Sequence, residues 1–130
     1  MAKLRFHLLG LAHLETNREN MSCAYTQKII KLAKIIKSYG HTLYFYGVEG
    51  SDVECDEFIE VVPKEVLNKT YGEYDRTTAF FKQDPHDLAH ETFNRNTINA
   101  IMERKKDGDI LLCPMGVYQK MISDATGLLT

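Results

Sequence analysis

The chain has no tryptophan, no Cys-x-x-Cys pair and no apolar run approaching the ~20 residues needed to cross a bilayer. Each absence narrows the field. Cys23, Cys55 and Cys113 are odd in number and far apart, and no Cys/His cluster has zinc spacing. Reduced thiols in a cytoplasmic compartment account for them, and no metal is expected. The apolar stretch after Met1 is too short for a signal peptide. An excess of one charge is also missing. Net charge is −2 and the pI is near 6.2, which gives no electrostatic footprint for duplex nucleic acid or an anionic membrane. Gly10 stands alone, so neither the GxGxxG turn of dinucleotide folds nor a GxxxxGK[ST] loop occurs, and no cofactor is called for. Repeats and low-complexity segments are absent as well.

What remains is an ordinary globular composition, 44% apolar and 26% charged, in 130 residues that suffice for one domain with a sizeable core. The clearest signal is the stretch Lys37 to Gly47. There an amphipathic helix ends at Gly40, where a left-handed residue is needed, and a β-forming run, Leu43 to Tyr46, follows. Phe6 to Leu11 is a similar run ahead of the helix, so the opening reads as a βαβ unit. The helix is expected from about Ala24 to Tyr39, with Ser22 as N-cap and a core stripe of Tyr25, Ile29, Leu32, Ala33 and Ile36, widened by Ile30 and Ile35. Lys28, Lys31, Lys34 and Lys37 band its outer side, as a solvated face or a phosphate-binding one. Gly47 to Asp52 reads as a loop and Glu57 to Val62 as an outer strand stopped by Pro63. A short helix to Tyr71 should end at Gly72, and Phe80 and Phe81 suggest an aromatic plug under a loop. Asp84 as N-cap and Pro85 at the first helical position open a second long helix that reaches about Arg104. Ile110 to Cys113 forms a buried strand, Pro114 to Gly116 a loop, and Val117 to Ala125 a short helix. The next strand should begin at Gly127 to Thr130. The expected fold is therefore a Rossmann-like open parallel sheet with helices on both faces, cut before its next strand. Such a sheet would need a continuation of the chain or a partner, a second copy included.

Ligands in open α/β sheets bind at the carboxyl edge of the strands. Three loops fall there: Ala12 to Ser22, Gly47 to Asp52 and Pro114 to Tyr118. The first holds His13, Glu15, Asn17, Arg18, Glu19 and Asn20 directly before a helix. His13 is either a general base acting on a hydroxyl, its ordinary pKa being near neutrality, or a loop histidine bonded to backbone. His86 and His90 have the i, i+4 spacing of a metal pair, but no third ligand is evident, and a solvated helix face explains them. Cys23 at a helix start is a thiol with His13 as its only nearby partner, and Cys113 reads as a small core residue.

Several of these segments together resemble a known family. They are Tyr39-Gly40-His41 closing a helix before a strand, Asp109 to Cys113 running into Pro114-Met115-Gly116, and the opening His7 to His13 followed by Cys23 to Lys28. The chain resembles the amino-terminal half of glycosyltransferases with the two-Rossmann-domain GT-B fold, and is similar to glycosyltransferase-like proteins encoded by bacteriophages. The resemblance implies an acceptor-binding domain for transfer of sugar from a nucleotide-sugar donor to a hydroxyl. It implies His13 as the catalytic residue, with Glu15, Asn17, Gly116 and Tyr118 lining the acceptor cleft. The donor residues of the family's second domain match no position here, so the chain alone is expected not to turn over. The competing reading is a non-enzymatic nucleotide- or protein-binding module, such as a phage inhibitor.

Overall fold

A computed structural model describes residues 3–72 and 84–130. Four strands, β1 (Arg5–Leu9), β2 (Thr42–Val48), β3 (Glu57–Val62) and β4 (Ile110–Leu112), form one all-parallel sheet in the order β3-β2-β1-β4. Among the described residues four α-helices accompany them: α1 (Ala24–Ser38), α2 (Lys64–Tyr71), α3 (Leu88–Arg104) and α4 (Lys120–Thr126). Alternation along the strands divides the core. Leu8, Leu43 and Phe45 point to one face, where Ile29, Ala33 and Ile36 of α1 cover them. Leu9, Tyr46 and Val48 point to the other, under Leu67 of α2, Phe93 and Ile101 of α3, and Ile122 of α4. The Rossmann-like open sheet with helices on both faces is thus present, with one helix on one side and three on the other. Among the described residues no helix is long and apolar enough to cross a membrane.

β2 and β3 are parallel, yet only residues 49–56 connect them and no helix intervenes. Val53 and Cys55 of that segment pack against the α1-side core and do a crossover helix's covering work. Beyond α4, Leu129 forms a single parallel bridge with Ile110, and the Leu111 N–H donates to the Leu129 carbonyl at 2.8 Å. That rung lies where the next strand was expected.

Several local expectations need correction. Cys23, not Ser22, is the N-cap of α1, and no side chain caps that end. Tyr25 and Ile35 are exposed, and Thr26 takes an inward place beside Ile29. Gly47 and Val48 belong to β2, with a register shift between them. The second long helix begins later than Asp84-Pro85, because Asp87 is its cap and accepts from the His90 N–H at 2.9 Å. Asp84 instead accepts from the His86 N–H at 2.8 Å and holds a separate turn. Val117 belongs to a 3-10 turn, Gly116–Gln119, ahead of α4. Phe80 and Phe81 lie outside the described residues. Gly40 has φ 79° and ends α1 as expected.

Gly10 matters for a reason other than phosphate binding. A Cβ there would meet Phe45 Cζ at 2.7 Å and the Tyr46 carbonyl oxygen at 2.9 Å. The ring can shift, but the carbonyl is held, since it accepts from the Gly10 N–H at 2.7 Å. Gly10→Ala is expected to cost about 2–3 kcal/mol in urea unfolding, the upper range for overpacking a tight core. A cost below ~0.5 kcal/mol would mean that β1 and β2 can part there freely.

Candidate functional site at the carboxyl edge

The chain leaves β1 toward β2 on one side and returns to add β4 on the other, so the strand order reverses between β1 and β4. The loops after these two strands diverge and leave a crevice between them. Gln119, buried after β4, spans it: its amide N–H donates to the Gly10 carbonyl at 2.8 Å, and its oxygen accepts from the Met115 N–H at 3.1 Å. Above this crevice the structure gathers three rings from three elements. The His13 and His90 rings lie nearly parallel with centroids 6.4 Å apart, and the Tyr118 ring is 5.4 Å from His90.

His90 is the organised member. It is 4% exposed, and its Nδ1 lies 2.9 Å from Asp87 Oδ1. The other carboxylate oxygen, Oδ2, accepts from the Tyr71 hydroxyl at 2.6 Å. Burial acts to raise the Asp87 pKa, but the hydrogen bonds from Tyr71 and from the backbone and ring of His90 outweigh it and hold the carboxyl below its ordinary range. An ionised carboxylate only accepts, so Nδ1 carries a proton, and in the neutral tautomer the lone pair is on Nε2. Tyr71, Asp87 and His90 thus form an orienting relay that leaves one basic nitrogen. His13 is 8% exposed, and burial, assisted by His90 and opposed by Asp87, lowers its pKa to about 4. It is a neutral imidazole at pH 7.

The sequence-derived site residues divide into two groups. His13 and Tyr118 converge on His90. Glu15 and Asn17 sit farther along the first loop, which packs on the loop after β2. Asn17 caps the short turn Arg18–Asn20 and donates to the Gly50 carbonyl at 3.3 Å. The Glu15 Cγ lies 3.4 Å from where a Gly50 Cβ would be. Gly116 is exposed at φ 59° and opens the 3-10 turn that presents Tyr118. His90 is buried rather than on a solvated face, and it is the residue that spacing alone undervalued. His86 is exposed, and among the described residues no group of three His, Cys, Asp or Glu could hold a metal. Cys23 packs against the α1-side core and Cys113 against the other, and no cysteine is in a disulfide.

Next to the three rings a cleft of about 420 Å³ runs between α3 and α4. Tyr118 lines it on one side and covers His90 on the other. A parallel sheet with a polar cluster at the reversal of its strand order can orient a hydroxyl and take its proton. No protein-family model matches this chain, and no curated protein is significantly similar to it.

Proposed function

We propose that this chain is the acceptor-binding domain of a glycosyltransferase, with the α3–α4 cleft as the acceptor site and His90 as the proton acceptor. One observation carries the reading. A histidine whose tautomer is fixed by a half-buried carboxylate stands at the strand-order reversal, beside His13 and behind the wall of a cleft. In the transfer, the acceptor hydroxyl oxygen attacks the anomeric carbon of the donor. The bond from that carbon to the phosphate oxygen breaks, the nucleoside diphosphate leaves with the electron pair, and the hydroxyl proton passes to His90 Nε2. His13, neutral beside it, gives the new imidazolium a partner that adds no charge.

Two measurements test this. Thermal melts with a panel of hydroxyl acceptors, nucleotides and nucleotide sugars should show stabilisation by acceptors above all, since a ligand that binds only the folded state raises the melting temperature. A larger rise with nucleotides would move the reading to a nucleotide-binding module. In turnover assays of a protein that also carries the donor-binding domain, His90→Gln should lower kcat/KM on the order of 10²-fold with the fold intact, the usual worth of a positioned base. Undiminished turnover would remove His90 from the mechanism.

A further inference from the structure

One face of α3 departs from the rule that periodic positions are apolar. Glu91, Asn94, Arg95, Ile98 and Asn99 recur at i, i+3, i+4, i+7 and i+8, the spacing of a single helical stripe, yet four of the five are polar. The stripe faces the cleft, with Tyr118 and Met121 opposite. The reverse side of α3 carries the core residues Ala89, Phe93, Ala100 and Ile101.

Asn94 is the decisive member. It is only 8% exposed, it borders the cleft, and its carboxamide makes no hydrogen bond among the described residues. A side chain this far buried that borders a cleft, with its carboxamide unused inside the protein, has donors and an acceptor left for a ligand there. Glu91, Arg95 and Asn99 likewise have side chains with no ion pair or hydrogen bond among the described residues.

We infer that this cleft binds a neutral sugar ring, its hydroxyls met by Asn94, Asn99, Glu91 and Arg95 and one ring face laid on Tyr118 and Met121. Amides supply donors and acceptors together, the carboxylate accepts and the guanidinium donates, which is the mixed set a polyol needs. Glu91 and Arg95 are opposite in sign and adjacent on the stripe. An anion would face the first and a cation the second, so neither is favoured. Apolar surface from Ile98, Met121 and Tyr118 suits the C–H face of a pyranose, and about 420 Å³ falls within the range of small-molecule sites. The inference rests on the reading of this cleft as the acceptor site and gives that acceptor a chemical class.

The test follows the Asn94 and Asn99 side-chain amide signals by NMR in the intact chain. The titrants are methyl α-glucoside, N-acetylglucosamine, inorganic phosphate and uridine monophosphate. Saturable shifts of both amides with a neutral sugar at millimolar concentration, weakened at least tenfold by Asn99→Ala, are expected. Asn99 is exposed, so this variant tests the contact without a burden on folding. Shifts of the same amides with phosphate or the nucleotide alone would overturn the sugar class while leaving a site in the cleft. Sugar-induced shifts confined to other regions, or none with any titrant, would overturn the sugar class and the acceptor site together.

Discussion

Asp109→Ala is expected to cost the fold about 3–5 kcal/mol, the penalty for removing one partner of a buried ionic network, with a fall of about 10 °C or more in melting temperature. Asp109 is 3% exposed at the amino end of β4. Its carboxylate accepts from Arg5 Nε at 2.9 Å and from the Lys106 N–H at 3.0 Å, and its Oδ2 lies 2.7 Å from His7 Nε2. His7 is fully buried and continues the chain to the Tyr46 hydroxyl at 2.7 Å. Arg5 also donates to the Tyr44 hydroxyl at 2.8 Å and to the Arg104 carbonyl at 2.9 Å. One carboxylate therefore joins β1, β2, β4 and the end of α3. Burial acts to raise its pKa, but hydrogen bonds from Arg5, His7 and the Lys106 N–H prevail and keep it low. Without it, Arg5 and His7 keep polar groups that no neighbour can satisfy. Asp109→Asn retains the shape and one acceptor and should cost less. An alanine variant that unfolds within ~1 kcal/mol of the parent would show that water replaces the carboxylate at no penalty.

Acid should weaken the protein already above the pH at which its ordinary carboxylates titrate. His13 has a folded pKa of about 4 against an unfolded 6.5. A histidine lowered on folding contributes stability that is complete above the unfolded value and is lost as pH falls toward the folded one. The loss reaches about 2–3 kcal/mol by pH 4.5. His7, lowered chiefly by burial, adds to it in the same window. Asp87 and Asp109 are both held below their ordinary range, so they contribute only at more acid pH. Denaturant titrations at pH 7 and 4.5 give the total, and His13→Gln, neutral throughout, isolates the share of that side chain. An unchanged pH dependence in the variant would assign the acid sensitivity elsewhere.

The frame of the fold was readable because its signals are local. Alternating β-formers, the Gly40 stop and the apolar Ile110 to Leu112 run each lie within one segment, and each became the expected element. Errors arose where two local signals competed and a distant residue decided. Asp84 and Asp87 both suit an N-cap, and Pro85 favours the first. Asp87 prevails through the His90 N–H, and the Tyr71 hydroxyl, from another helix, fixes its second oxygen. Tyr25 and Ile35 fit the apolar stripe of α1 but lie at its margin, where the sheet does not reach. The same holds for the site. The position of His13 follows from the handover of β1 to α1. His90 stands among exposed neighbours, His86 and Glu91, and its burial under Tyr118 and His13 comes from residues far along the chain. Gln119 gave no signal, since a glutamine in a short turn shows its role only when Gly10 is placed beside it.

Asp87 has one further consequence. The same oxygen that receives the His90 amide at the start of α3 also lies against the His90 ring. Displacement of the Asp87 carboxylate therefore releases the helix start and the imidazole together. Solvent exchange of the His90 amide proton thus reports how long the carboxylate stays in place for the ring as well as for the first turn of α3.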